Sequence, residues 1–282
     1  MDSGIDLPPL NLPALLRSYG LTTRKGLGQN FLIDDQILHN IVTAAEVNSK
    51  DVVLEIGAGP GNLTRWLALY AKKVMAVEMD HAIIPLLREV VGQKSNIQII
   101  AGDILQINPQ TLVGEDKYIV VANIPYYITS ALFRHLLEGP VKPEKMVLTI
   151  QREVAARICA SDGDLSLLAL SVQVYGSPQL LMEIPAHAFY PIPKVDSALL
   201  KVDLYPQPLI PMENLNAFFK LCKAGFSQKR KMLHNSLSSG LGWGQEKTAK
   251  LVREAGIDPQ RRAQTLTMDE WQLLTEKYLT QQ

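Results

Sequence analysis

Val52-Val53-Leu54-Glu55-Ile56-Gly57-Ala58-Gly59-Pro60-Gly61 carries a mostly apolar run straight into three glycines at alternate positions, and Asn62-Leu63-Thr64 then opens an apolar stretch with helical spacing. The pattern reads as a buried strand, a tight loop and a helix. Glycines in such a loop let the backbone pass close beneath a ligand. The Gly-x-Gly-x-Gly spacing differs from the Gly-x-Gly-x-x-Gly spacing that seats a pyrophosphate on a helix end, which disfavours a nicotinamide dinucleotide. Two further strands follow. Residues 73–77 form one, ending at Glu78, about twenty residues past the glycine loop, where α/β nucleotide folds place a carboxylate to accept from ribose hydroxyls. Residues 97–101 form the next, ending at Gly102-Asp103, where an acidic side chain is a candidate acceptor for an adenine amino group. The plain alternative for either carboxylate is a solvated strand-end charge, but ordered strand ends favour the ligand reading.

Residues 118–122 read as another buried strand, followed directly by Asn123-Ile124-Pro125-Tyr126. An exocyclic amine conjugated with its ring is a poor nucleophile, so an enzyme that alkylates one needs acceptors for the amine protons and a flat surface for the base. Asn123 and the Pro125 carbonyl are candidates for the first, and Tyr126 for the second. Taken alone, the motif is equally compatible with a proline turn and a core tyrosine.

Strands and helices alternate through residue 150, starting from helices over residues 13–19 and 35–45, in the manner of a doubly wound parallel sheet whose fifth strand is residues 144–150. Residues 165–174 are apolar and helical. Residues 180–184 and 197–204 have the pattern of an antiparallel pair that finishes the sheet. Pro206-Gln207-Pro208 marks a boundary, giving a catalytic domain over residues 1–207 and a helical domain over residues 208–282. In the latter, residues 214–224, 229–236, 247–254 and 268–278 have helical periodicity, with Gly225, Gly240 and Gly256 as breaks.

The 282 residues, 47% hydrophobic, suit one ordinary domain with a small appendage. No uninterrupted apolar run is long enough for a membrane span and no charged-then-apolar leader opens the chain, so a cytoplasmic protein is expected. Cys159 and Cys222 lie far apart and the five histidines are scattered, implying neither a zinc site nor a disulfide framework. Net charge is zero, but it is unevenly placed: residues 201–282 hold 12 of the 28 Lys and Arg and 8 of the 28 Asp and Glu, leaving 16 and 20 to residues 1–200. No acidic residue occurs from Asn214 through Gln245, and Lys220, Lys223, Lys229, Arg230 and Lys231 fall in that stretch. Such a patch suits phosphate contacts; a solvated helix face is the alternative. Arg17, Arg24 and Lys25 form a second basic group ahead of Gly28-Gln29-Asn30, placed to line an RNA entrance if that segment covers a cofactor.

Gly28-Gln29-Asn30-Phe31-Leu32-Ile33-Asp34, the Leu54–Gly61 loop, Glu78, Gly102-Asp103, Asn123-Ile124-Pro125-Tyr126 and Phe189-Tyr190-Pro191-Ile192-Pro193-Lys194-Val195-Asp196-Ser197 together resemble the small-subunit ribosomal RNA adenine N6,N6-dimethyltransferases over nearly the whole chain. The glycine loop indicates only an S-adenosylmethionine-dependent methyltransferase; the first and last segments are far more specific. The resemblance implies a Rossmann-like class I methyltransferase sheet with a small helical domain, cofactor contacts at Asn30, Leu32, Gly57, Glu78, Asp103 and Asn123, and a target base held between Tyr126 and Phe189. It further implies a hairpin loop with two neighbouring adenosines near the 3′ end of 16S RNA, in a maturing small subunit, as substrate. A monomer without metal is expected. Ile124 stands where bacterial members often have leucine, a change shared with sister enzymes that methylate 23S RNA, whereas Tyr126 and Asp196 point to the small subunit. The competing expectations are 23S dimethylation and a non-catalytic assembly or transcription factor on the same fold.

Overall fold

The computed structural model describes residues 7–281. In chain order the elements are α1 (Leu12–Ser18), β1 (Phe31–Leu32), α2 (Asp35–Ala44), β2 (Val52–Ile56), α3 (Asn62–Tyr70), β3 (Lys73–Glu78), α4 (Ile84–Val91), β4 (Ile97–Ala101), α5 (Pro109–Val113), β5 (Tyr118–Asn123), α6 (Thr129–Leu137), β6 (Lys145–Gln151), α7 (Arg152–Ile158), α8 (Leu167–Gln173), β7 (Gly176–Ile184), β8 (Phe189–Tyr190), β9 (Ser197–Leu204), α9 (Leu215–Phe226), α10 (Leu233–Leu241), α11 (Gln245–Glu254) and α12 (Met268–Leu279). Seven strands form one sheet in the order β4-β3-β2-β5-β6-β9-β7, and β1 pairs antiparallel with β8 in a separate ribbon. β4, β3, β2, β5 and β6 run parallel, while β9 lies antiparallel on β6.

The order reverses at β2, so the chain leaves β2 toward β3 and β4 on one side and later returns to β5 on the other. That reversal opens a crevice at the carboxyl ends of β2 and β5, the place where open α/β sheets bind ligands. All five residues of β2 are buried. Val53, Val74, Ile119, Val121, Val147 and Leu199 pack with Leu38, Ile41, Leu63 and Leu67 of α2 and α3. The intervening Leu54, Val120, Ala122, Met146 and Leu148 are equally buried, as expected of a parallel sheet covered on both faces.

The chain divides into two compact units, one of residues up to Ala155 with Gln179–Leu204, the other of Ala156–Pro178 with residues from Tyr205 onward. The second therefore includes α8, which the proline-marked boundary assigns to the catalytic part: the amides of Tyr205 and Leu209 donate to the carbonyls of Tyr175 and Val174, and Leu165 donates to Gln264. Two glycines read as breaks in this unit stand one residue before helix ends, Gly225 ahead of Phe226 in α9 and Gly240 ahead of Leu241 in α10. A Cβ on Gly225 in α9 would stand 2.7 Å from the Trp271 ring, and one on Gly240 in α10 would stand 2.5 Å from the Ala224 Cβ. These positions permit close helix crossings that offset the helix-propensity cost of glycine, about 1 kcal/mol. Gly256, with φ of 73°, does follow the end of α11. Lys229, Arg230 and Lys231 lie in the turn between α9 and α10 rather than in a helix.

Candidate active site

The first unit holds an open cleft at the carboxyl ends of β2, β3, β4 and β5. Each strand contributes its last residues because a parallel sheet aligns those ends on one edge. β2 supplies Ile56 and Gly57, β3 Val77 and Glu78, the turn after β4 Gly102 and Asp103, and β5 leads into Asn123, Pro125 and Tyr126. The fourth wall is the segment before β1, including Gly28, Asn30 and Phe31.

The glycine loop is built around positive φ. Gly59 has φ of 55°, and a Cβ there would meet the Phe31 ring at 2.9 Å, so alanine is both strained and crowded. The Gly59 amide donates to Glu78 Oε2 at 2.7 Å, and the Asp80 amide donates to Oε1 at 2.7 Å. These bonds fix the Glu78 carboxylate at the cleft and leave its remaining lone pairs free. Burial raises its pKa, and the backbone donors act in the opposite direction. Asp103 Oδ1 accepts from the Leu105 amide at 3.0 Å, which sets the other acidic side chain at the strand-end edge.

Asn123 donates through Nδ2 to the Asn30 carbonyl at 3.1 Å. That bond assigns the amide orientation and leaves Oδ1 as an acceptor. Asn30 in turn donates to the Gly28 carbonyl at 3.2 Å. Tyr126 is half-buried, its hydroxyl sharing a 2.7 Å hydrogen bond with Ser197 Oγ, and burial raises its pKa. Its ring is thereby fixed from the far end. The cleft thus presents the carboxylates of Glu78 and Asp103, the Asn123 amide oxygen, the aromatic Phe31 and Tyr126, and apolar walls of Ile56, Val77, Met79 and Ile104. This donor set fits a nucleoside, with an acceptor for a ribose diol, an acceptor for an amino-purine and flat apolar contacts between them.

Of the residues the resemblance assigns to a cofactor, Asn30, Gly57, Glu78, Asp103 and Asn123 line this one cleft, as do Pro125 and Tyr126. Leu32 does not: it is 2% exposed, packed in the core, and turns its carbonyl to Asn62 Nδ2 at 2.8 Å. Phe189 likewise does not line it. Its register partner in the β1–β8 ribbon is Leu32, and its ring is 2% exposed in the same core cluster, so the expected second stacking face is not at the cleft. Arg24, expected to face RNA, pairs Nη1 with Asp80 Oδ1 at 3.0 Å, while Gln29 Nε2 donates to Asp80 Oδ2 at 2.8 Å. Arg24 therefore also clamps the Gly28–Asn30 wall to the residues after β3. Lys25, Lys223, Lys229, Arg230 and Lys231 are exposed and make no ion pair among the described residues. Lys220 stands 5.7 Å from the centroid of the Tyr278 ring. Sequence reasoning missed Met79 and Ile104, although each directly follows a carboxylate that it picked out.

Behind the cleft, Glu55 in β2 is 1% exposed, with Oε2 unpaired among the described residues. Burial pushes its carboxyl up to about 8, and the Glu78 charge adds to that shift. Glu55 is therefore held mainly as the neutral acid at pH 7.

A parallel sheet that reverses at β2, with the antiparallel β9 inserted between β6 and β7 at its edge, has the topology of a class I methyltransferase fold. The family model for ribosomal RNA adenine dimethylase matches residues 20–280, and the chain belongs to that family. A relative from Dehalococcoides mccartyi (strain CBDB1), ribosomal RNA small subunit methyltransferase A, is 46% identical over 267 residues, covering 94% of this chain and 91% of the relative. Among solved structures, a dimethyladenosine transferase from Plasmodium falciparum superposes with a TM-score of 0.74 at 25% identity, over 89% of this chain and 98% of that one. The 23S rRNA methyltransferase ErmE superposes with a TM-score of 0.70 at 27% identity, over 88% and 99%.

Proposed function

We propose that the chain is an S-adenosylmethionine-dependent enzyme that dimethylates N6 of two adjacent adenosines in a hairpin loop near the 3′ end of 16S ribosomal RNA. The observation that carries this reading is the convergence of Glu78, Asp103 and Asn123 on one cleft beside Tyr126. When bound, the cofactor supplies a methyl group on a sulfonium, an already activated leaving group. Glu78 holds the ribose hydroxyls and Asp103 accepts from the cofactor's adenine amine. Asn123 Oδ1 and the Pro125 carbonyl accept from the target amine, and Tyr126 supports one face of the target base.

Asn123 Oδ1 and the Pro125 carbonyl would hold the amine so that its N6 lone pair could take the methyl group a bound cofactor would supply, with the carbon–sulfur pair going to sulfur. The nitrogen becomes tetrahedral and positive, and its extra proton leaves to water. Acceptors aimed at that amine bind more strongly as charge develops, so they favour the transition state over the ground state. The step balances without a general base before transfer. With neither Leu32 nor Phe189 at the cleft, the reading rests on the remaining residues.

The exposed Lys223, Lys229, Arg230 and Lys231 are assigned to RNA phosphates, with Lys220 beside them and Lys25 near the cleft. The partner is the immature small subunit, reached by a cytoplasmic monomer; among the described residues no helix is long and apolar enough to cross a membrane. The 46% identity to a ribosomal RNA small subunit methyltransferase A over 94% of this chain supports the 16S substrate. Incubating the protein with labelled S-adenosylmethionine and separated ribosomal subunits lacking the modification tests this. Label is expected in 16S RNA as N6,N6-dimethyladenosine, and exclusive labelling of 23S RNA overturns the substrate assignment. A second role as an assembly checkpoint predicts that catalytically dead protein still binds precursor subunits.

A further inference from the structure

Tyr127 is the most exposed phenylalanine, tyrosine or tryptophan among the described residues, at 58%, and it adjoins the cleft without belonging to its lining. Exposed tyrosines are ordinarily mobile, and this one is pinned. It sits in the tight helical turn Tyr126–Ile128, closed by the Ile128 amide donating to the Pro125 carbonyl at 3.2 Å. Its hydroxyl reaches the Met79 sulfur at 3.8 Å. One side of the ring lies against Gly28, where a Cβ would stand 3.2 Å from Tyr127 Cδ1 on a backbone of φ 62°. Gly28 and Met79 both line the cleft, so the ring bridges the rim between the segment before β1 and the end of β3. An aromatic surface held rigid yet left in water loses little conformational freedom when a flat partner covers it.

We infer that Tyr127 is a stacking platform for the nucleobase adjacent to the one being methylated. This rests on the proposed reading of the cleft as a methylation site for unpaired adenosine. Tyr126 and Tyr127 are consecutive, so a splayed strand that delivers one base to the cleft presents its neighbour at the rim, where an aromatic face accepts any base. Tyr127 would thereby hold one adenosine of the pair while the other is in the cleft, and act on substrate rather than cofactor.

The test uses the full-length protein, labelled S-adenosylmethionine and small subunits lacking the modification, with cofactor affinity measured separately by calorimetry. Tyr127→Ala is expected to lower kcat/KM for the subunit ~5- to 100-fold, the range that loss of one base stack produces, with cofactor Kd unchanged. Tyr127→Phe and Tyr127→Trp should remain within about threefold of wild type, since the ring carries the stack and the Tyr126–Ile128 turn and Gly28 hold it without the long hydroxyl contact to Met79. In a hairpin RNA carrying 2-aminopurine beside the target adenosine, wild-type protein should quench the fluorophore and Tyr127→Ala should not. Unchanged kcat/KM and quenching in Tyr127→Ala, or a cofactor Kd raised in step with the loss of activity, overturns the inference; the latter would make Tyr127 a support for the cleft wall. Failure of the underlying reading looks different: wild-type protein would then transfer no methyl group, and the inference would fall with it.

Discussion

The two units bury polarity in different ways. Every buried charged side chain among the described residues (Glu55, Arg65, Glu78 and Asp80) lies in the sheet-containing unit, whereas the helical unit buries neutral polar groups, among them the hydroxyls of Ser236, Thr248 and Thr275 and the Trp271 indole nitrogen, which has no partner among the described residues. Those hydroxyls donate to backbone carbonyls, as Thr275 does to Trp271 at 2.8 Å and Thr248 to His234 at 3.1 Å. Glu55 instead has an unpaired oxygen, and Glu78 relies on two loop amides. Particular glycines serve different ends: Gly59 takes a positive φ in the loop after β2, whereas Gly225 and Gly240 let α9 approach its neighbours. The sheet-containing unit thus buries charge at and behind its cleft, and the helical unit keeps charged side chains out of its core.

The largest test of this contrast is Glu55→Gln. The folded carboxyl sits near 8 against 4.5 for the ordinary group, so the folded state retains a proton that the unfolded chain releases. Stability from this residue is full below about pH 4.5, declines as pH rises toward 8, and levels off above. The glutamine variant should lose that part of the pH dependence and exceed wild type at pH 8 by on the order of 4 kcal/mol. Urea unfolding at pH 5 and pH 8 reads it directly, and parallel pH profiles would break the comparison.

Gly240→Ala comes next. The new methyl would overlap Ala224, including its Cα at 2.6 Å, so backbone must move at a cost of about 1–3 kcal/mol. Thermal unfolding should show that loss while cofactor affinity, measured by calorimetry, stays within twofold. Gly59→Ala should behave in the reverse sense: a stability loss of about 1–2 kcal/mol for the left-handed backbone, accompanied by at least a tenfold rise in cofactor Kd. Equal cofactor affinities in these two glycine variants would erase the distinction between cradle and crossing. The smallest effect is expected from replacing Lys229, Arg230 and Lys231 together by glutamine. Folding stability should change by less than about 0.5 kcal/mol, while the slope of log affinity for RNA against log salt falls by about 2. An unchanged slope would remove the phosphate contacts assigned to that turn.

The sheet was largely legible in the sequence because its strands are short apolar runs ended by glycine or a carboxylate, and their alternation with helices admits few topologies. Most of the site followed, since a parallel sheet brings strand ends together: Gly57, Glu78, Asp103 and Asn123 were readable as neighbours before any coordinates. Leu32 and Phe189 were not, because a motif fixes which residue is present but not which side of a two-residue strand faces the core. Their pairing in the β1–β8 register directs both inward. The helical unit was read less well. Gly225 and Gly240 do stand one residue before the ends of α9 and α10, but the close approach of Trp271 and Ala224 that also calls for glycine there leaves no local signal. The basic run at Lys229 has helical composition yet forms the connecting turn, and the contacts of Val174 and Tyr175 that draw α8 away from the sheet unit leave no local trace.

The central claim is that one cleft holds the cofactor and aligns the target amine on Asn123. The most direct measurement is N6,N6-dimethyladenosine in 16S RNA after incubating undermethylated small subunits with S-adenosylmethionine and either wild-type protein or Asn123→Ala, with cofactor binding measured in parallel. The account predicts dimethylation of two adjacent loop adenosines by wild-type protein and a loss of at least about 100-fold in kcat for the variant, the scale of removing one preorganised transition-state hydrogen bond, with cofactor still bound. Undiminished methyl transfer by Asn123→Ala would contradict it.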